Sequence, residues 1–118
     1  MFIAYETSIK LIYSLRTLVP VVKRHDRDLA DQIHRAATSV ALNLGEGSRF
    51  NDGNARRHFA IAQGSAMEVK AGLDVAEAWG LVTDTGEPRR ILDQLLAMLW
   101  SLTRGTRTRD AAAPAKLE

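Results

Sequence analysis

Asp28-Leu29-Ala30-Asp31-Gln32-Ile33-His34-Arg35-Ala36-Ala37-Thr38-Ser39-Val40-Ala41-Leu42-Asn43-Leu44-Gly45-Glu46-Gly47 is the stretch that decides the fold. Leu29, Ile33, Ala36, Val40 and Leu44 recur at three- and four-residue steps, which puts them on one face and predicts an amphipathic α-helix. Asp28 is the expected N-cap. Gly45-Glu46-Gly47 is the expected stop, because glycine takes the left-handed conformation cheaply. Beside the apolar stripe runs a polar line, Gln32, Arg35, Ser39, Asn43 and Glu46, confined to about 80° of the helix circumference. Two readings of that line stay open. It is a solvated face, or it is a polar contact with another chain, since Arg and Asn beside an apolar stripe suit interfaces.

The same periodicity extends outward in both directions. Tyr5, Ile9, Ile12, Leu15 and Val19 predict a first helix over Ile3–Leu18, ended or kinked by Pro20. Lys23 to Arg27 then reads as a polar connector. After a polar loop, Ser48 to Asn54, a third helix is expected from Ala55 to Trp79, with Phe59, Ala62, Ala66, Val69, Leu73 and Ala76 as its apolar stripe. A flanking line of small residues, Ala60, Gly64, Ala71 and Ala78, leaves room for a neighbouring backbone. Gly64 and Gly72 each cost about 1 kcal/mol relative to Ala within a helix, which close packing would offset. Gly80 ends this segment and Asp84-Thr85-Gly86 makes a turn.

Glu87-Pro88 opens a fourth helix, since proline suits the first helical turn. Its Ile91, Leu92, Leu95, Leu96, Met98, Leu99 and Leu102 cover more than one side, and Trp100 adds a further one. Such a helix needs partners on two flanks, which points to a bundle that also oligomerises. Arg104 and Gly105 are the expected end. Residues 1–105 thus read as one bundle domain and 106–118 as a frayed tail. Two-residue alternation is nowhere sustained. Short links between amphipathic helices favour antiparallel neighbours, so the expected fold is all-α, an up-down-up-down antiparallel four-helix bundle.

Composition narrows the chemistry. The chain has 118 residues, 46% hydrophobic and 25% charged, with a net charge of +2. That is ordinary for one globular domain and only mildly basic. A domain this small has no room to wall off a large private cleft, so function is expected on an outer face or between copies. The absence of Cys removes disulfides, thiolate nucleophiles and Cys-based zinc sites. Met1 to Glu6 shows no basic leader and no apolar run reaches ~20 residues, so a cytoplasmic protein with no membrane role is expected.

Catalytic patterns are sparse. Di-iron bundles use Glu-x-x-His pairs, and none occurs here. His25, His34 and His58 lack metal-ligand spacing, so neither a metal nor another cofactor is expected. Ser39 and Ser65 sit among small helical residues, where a hydroxyl bonds a backbone carbonyl or permits close packing. No nucleophile elbow, phosphate loop or dinucleotide fingerprint is present. Glu46 and Glu68 would act as acids only if an interface desolvated them. The expectation is a protein without enzymatic activity.

Arginine is the more informative signal. It supplies twelve of the 16 basic side chains, and its planar fork binds phosphate bidentately and stacks on bases. The clusters are Lys23, Arg24 and Arg27; Arg49, Arg56, Arg57 and His58; Arg89 and Arg90; and Arg104, Arg107 and Arg109. They are solvated charges, or they are a nucleic-acid surface built from Lys23, Arg24, Arg27, Arg49, Arg56, Arg57 and His58 and multiplied by oligomerisation.

The string from Gln32 to Val40, followed by Asn43-Leu44-Gly45-Glu46-Gly47, resembles the signature of bacterial four-helix bundle proteins first noticed within intervening sequences of large-subunit ribosomal RNA genes. Phe59, Gly64-Ser65, Glu68 and Gly80-Leu81 fit that family's third helix, and Tyr13 and Pro20 its first. The resemblance covers about Ala4 to Leu102. Gly45 stands where the family usually has Ala, and His34 where it has a basic residue. What the resemblance implies is a ring-shaped homopentamer of no established biochemical activity. Its relatives include the accessory variability protein of diversity-generating retroelements, which binds a reverse transcriptase and nucleic acid through a basic surface. A homo-oligomer is therefore expected, with RNA, DNA or a reverse-transcriptase-like protein as partner by family analogy alone. Arg35, Ser39, Asn43, Glu46 and Glu68 match the family's polar motif positions. Arg35, Asn43 and Glu46 are expected to form a hydrogen-bonded network at the subunit boundary, so that Glu46→Ala lowers the assembly state. The leading expectation is a non-enzymatic adaptor for nucleic acid or nucleoprotein. The alternative is a purely structural or protein-binding ring that uses Trp79, Trp100 and the apolar fourth helix.

Overall fold

Pro20 shapes the first arm of the molecule. The computed structural model describes residues 2–50 and 53–110, and in it the single first helix expected from the sequence is two, α1 (Ile3–Leu15) and α2 (Leu18–His25). A proline ring collides with the carbonyl four residues back in a continuous helix. Here that residue is Arg16, and the break falls on Arg16 and Thr17. Pro20 becomes the third residue of α2, where its missing N–H would have had no intrahelical acceptor. Lys23, Arg24 and His25 then form the last turn of α2, where cations suit the helix dipole, in place of the connector expected there.

One extended residue, Asp26, separates α2 from α3 (Arg27–Gly47). Its carboxylate accepts a hydrogen bond from the Leu29 N–H at 3.0 Å. Asp26, and not Asp28, is therefore the N-cap, because the helix begins two residues earlier than expected and leaves Asp28 in the first turn. α3 also runs through Gly45 and Gly47 in the right-handed conformation; among the described residues only Gly80 has a positive φ, 74°. The glycine pair is not a left-handed stop. Gly47 is small because a Cβ there would lie 2.7 Å from the Phe59 ring.

α4 (Gly53–Ala78) does end as expected, on Gly80. The Leu81 N–H reaches back to the Ala76 carbonyl at 2.9 Å and the Gly80 N–H to the Glu77 carbonyl at 2.9 Å. This pair of bonds satisfies carbonyls that the helix end leaves open. α5 (Gly86–Asp110) starts with Thr85 before it and Pro88 in its first turn. It continues past Gly105, the expected end, to Asp110; the rest of the expected tail, 111–118, lies outside the described residues.

Contacts across α3 and α4 pair Ile33 with Gly72, Ser39 with Ser65, Asn43 with His58 and Gly47 with Phe59. As numbers rise on α3 they fall on α4, so the two are antiparallel. α4 and α5 are likewise antiparallel, joined by Glu77 to Thr85 at one end and Gln63 to Thr103 at the other. α1 packs on both α3 and α5, and α2 packs on α3, which closes the circuit. The alternation is the expected one, carried by five helices among the described residues, with no strand. The predicted stripe of α3 is buried throughout, as is that of α4 apart from half-buried Phe59. A Cβ on Gly72 would sit 2.6 Å from Ile33, so this glycine is offset by close packing. Gly64 has no neighbour within 4 Å and is not.

α1 departs from its predicted stripe. Ala4, Ser8, Leu11 and Leu15 face the core, whereas Tyr5 is exposed and Ile9 and Ile12 are half-buried. Small and hydroxylic residues make the better fit against α3 and α5. Thr7 and Ser8 lose no hydrogen bonds there, because their hydroxyls donate to the carbonyls of Ile3 and Tyr5.

Candidate nucleic-acid interface

The basic residues singled out in the sequence divide between two ends of the bundle. Lys23, Arg24 and Arg27 flank the α2–α3 turn, whereas Arg49, Arg56, Arg57 and His58 flank the α3–α4 connection. α3 has 21 residues, so at 1.5 Å per residue the groups stand roughly 30 Å apart. The seven residues do not make one patch.

At the first end, which also holds the α4–α5 connection, Arg89 and Arg90 are spent on the fold. Arg89 donates to Asp74 Oδ1 at 2.9 Å, to Glu77 Oε1 at 2.8 Å and to Thr85 Oγ1 at 2.9 Å. Thr85 in turn donates to Glu77 Oε2 at 2.6 Å. That hydroxyl, followed by the Arg89 charge, holds the Glu77 carboxyl below its ordinary range. Arg90 pairs with Glu87 at 2.8 Å and lowers it in the same way. The cluster Arg89–Arg90 is therefore locally neutralised. Lys23, Arg24 and Arg27 are exposed beside it.

At the opposite end, Arg49, Arg56 and Arg57 are exposed, and no ion pair joins them to an acid among the described residues. Arg104 is exposed at the same end, next to Thr103, which donates to Gln63 of α4 at 3.1 Å. An aromatic pair sits among these arginines. Phe50 and His58 lie parallel, 7° between planes and 6.3 Å between centroids.

A polar ladder holds this pair to the bundle. Ser39 and Ser65 share a hydrogen bond of 2.8 Å across α3 and α4. Asn43 Nδ2 donates to the Ser39 carbonyl at 2.9 Å and to Ser39 Oγ at 3.2 Å. With its amide nitrogen so used, Asn43 presents Oδ1 to His58 Nδ1 at 2.9 Å, so this histidine nitrogen carries the proton and donates. The two serines, expected to bond backbone or merely permit packing, instead bond each other.

The ladder includes only part of the expected polar network. Asn43 is engaged within its own chain, by Ser39 and His58, and its bonds do not go to Arg35 or Glu46. Arg35, Glu46 and Glu68 are exposed and make no hydrogen bond or ion pair to a described residue. They lie on outer faces that also carry large apolar groups. Leu42 on α3 is 68% exposed, Ile61, Met67 and Val75 project from α4, and Trp79, just beyond its end, is 74% exposed. Phe50 and the His58–Asn43 bond were not foreseen from the sequence, because their partnership crosses the connection whose length hides it. Among the described residues no helix is long and apolar enough to cross a membrane, and no group of three or more His, Asp or Glu could hold a metal.

The fold and this site define an all-α bundle protein with a polar α3–α4 seam and an arginine-rich tip. The chain belongs to the 23S rRNA-intervening sequence protein family, whose model matches residues 2–101. It is also similar to a protein of unknown function from the S23 ribosomal protein family of Bacteroides thetaiotaomicron. That crystal structure superposes with a TM-score of 0.73 at 17% identity, over 85% of this chain and 97% of the other. At that identity the likeness is one of fold. No curated protein matches the chain.

Proposed function

We propose that this is a non-enzymatic, oligomeric four-helix bundle protein that binds nucleic acid or a nucleoprotein through the tip formed by Arg49, Arg56, Arg57 and His58. The observation that carries the reading is the contrast in arginine pairing. Arg89 and Arg90 are matched by acids of their own chain, whereas Arg49, Arg56 and Arg57 are exposed and pair with no acid among the described residues. Unpaired guanidinium groups on a nearly neutral chain suit phosphate, which they bind with release of counterions. Lys23, Arg24 and Arg27 form a second, separate basic patch at the far end.

Assembly into a homopentameric ring is part of this proposal and rests on the family resemblance. The exposed apolar side chains of α3 and α4 support self-association, because single-chain burial leaves them in water. Arg35, Glu46 and Glu68 on those faces are then free to pair with a neighbouring subunit. Ring assembly would repeat the tip around the oligomer and multiply a modest local charge.

A purely protein-binding ring is the second reading, favoured by the exposed apolar face of α4. Fluorescence anisotropy on a labelled structured RNA and a matched DNA duplex, at several salt concentrations, separates the two. Tight binding with a steep salt slope that falls in Arg56→Ala/Arg57→Ala supports the nucleic-acid reading. No binding at low salt rejects it in favour of the protein-binding ring.

A further inference from the structure

We propose that the tip selects single-stranded nucleic acid, by stacking an unpaired base on the Phe50–His58 pair. This deepens the nucleic-acid reading and rests on it. Phe50, just beyond the end of α3, is an apolar residue left 41% exposed. Phe50 lies outside the hydrophobic core, and its described ring partner is His58. The two rings are stacked, so His58 backs one side of Phe50, and the exposed Phe50 ring is the surface offered to a base.

The ring that backs Phe50 is also held in place. His58 is held through Asn43 to Ser39, and Ser39 to Ser65, so the aromatic pair is referenced to both helices of the seam. A further constraint comes from Gly47, where even a Cβ would lie 3.0 Å from His58 Cβ and 2.7 Å from the Phe59 ring. A platform that is already ordered loses little freedom when a base settles on it.

Arg49 precedes Phe50, and Arg56 and Arg57 precede His58, so exposed cations lie within two residues of each ring in sequence. Aromatic faces for bases beside arginines for the backbone are the combination that single strands use, and every base has a face to stack. In a duplex those faces are already covered by neighbouring bases. Stacking at this site therefore favours unpaired nucleotides, whereas the arginines alone would accept either form.

The test uses the full chain with three labelled probes of equal length: oligo-uridine, oligo-thymidine and a mixed-sequence duplex. Anisotropy is measured for the unaltered protein, Phe50→Ala, Phe50→Tyr and Arg49→Ala/Arg56→Ala/Arg57→Ala. The expected result is tighter binding of single strands than of duplex. Phe50→Ala should lose about tenfold or more on single strands, with the duplex little changed and the salt slope intact. Phe50→Tyr, which keeps a stacking ring, should restore the affinity. Binding of only one of the two single strands supports the inference equally. If Phe50→Ala leaves single-strand binding unchanged, or weakens both forms alike, while the arginine variant still loses binding, stacking is rejected and the arginine tip stands. If the unaltered protein binds none of the probes at low salt, both proposals fall.

Discussion

The α4–α5 and α3–α4 connections, at opposite ends of the bundle, use arginine in opposite ways. Around the α4–α5 connection, Arg89 ties Asp74 and Glu77 of α4 to Thr85, the residue that precedes α5. Around the α3–α4 connection, Arg49, Arg56 and Arg57 stand exposed with no such partner among the described residues. The first end illustrates charge used to fasten one helix to the next. The second leaves its charge available to something outside the chain. Residue type alone does not separate these roles; the position of the nearest carboxylate does.

Variants that treat the two ends alike can break this comparison. The largest expected effect is on binding. Arg49→Ala/Arg56→Ala/Arg57→Ala should lower the steepness of the salt dependence by about 2 to 3 units of log Kd per log salt, on the basis of roughly one per phosphate contact. Its thermal unfolding should stay within about 0.5 kcal/mol of the parent, as for surface changes generally. Arg89→Ala should do the reverse. Removing a guanidinium with three acceptors should destabilise by about 1 kcal/mol in urea unfolding, with the binding slope unchanged.

Two glycines sharpen the comparison along the seam. A Cβ at Gly72 meets Ile33 at 2.6 Å, and one at Gly47 meets Phe59 at 2.7 Å. Either Ala variant gains about 1 kcal/mol of helix propensity but overpacks the seam by about 1–3 kcal/mol, for a net loss of order 1 kcal/mol. Only Gly47→Ala, which also crowds His58, should weaken nucleic-acid binding as well. Gly45→Ala is the control. Its Cβ would meet Tyr5 at 3.4 Å, so a neutral or slightly positive change in unfolding midpoint is expected.

The smallest effect concerns acid. Glu77 and Glu87 have folded pKa values below their ordinary range. Their pairing therefore stabilises the fold fully above the unfolded carboxylate pKa, near 4.5, and is lost as pH falls through the lower folded values. Thr85→Val removes the hydroxyl that contributes most to the Glu77 shift. In a titration followed by NMR, the Glu77 carboxyl should then move up towards its ordinary value, with nucleic-acid binding at neutral pH unaffected.

How much of this was legible in the sequence follows from which contacts are local. The stripes Leu29, Ile33, Ala36, Val40, Leu44 and Ala62, Ala66, Val69, Leu73, Ala76 have a helical period, and both are buried as read. The Gly80 stop was legible because a left-handed residue has few chemical options. The first arm was misread where Ala4, Thr7 and Ser8 fill the core positions, because hydropathy weights Tyr5 and Ile9 above them. The N-cap was misplaced because Asp26 and Asp28 are chemically alike, and only the backbone at Asp26 shows which one lies at the helix edge. The site was half legible. Arginine-rich clusters were visible, but their separation by the length of α3 and the neutralisation of Arg89 and Arg90 required the antiparallel register. The link from Asn43 to His58 crosses between helices and has no signature in spacing.

One comparison of two variants tests the central claim that Arg56 and Arg57 are open to a ligand whereas Arg89 and Arg90 are engaged by their own chain. The salt dependence of single-strand binding is to be measured side by side for Arg56→Ala/Arg57→Ala and for Arg89→Ala/Arg90→Ala, each against the unaltered protein. A slope that falls in the first pair and is retained in the second is the result predicted here. Equal losses in both, or a loss confined to Arg89 and Arg90, would contradict it.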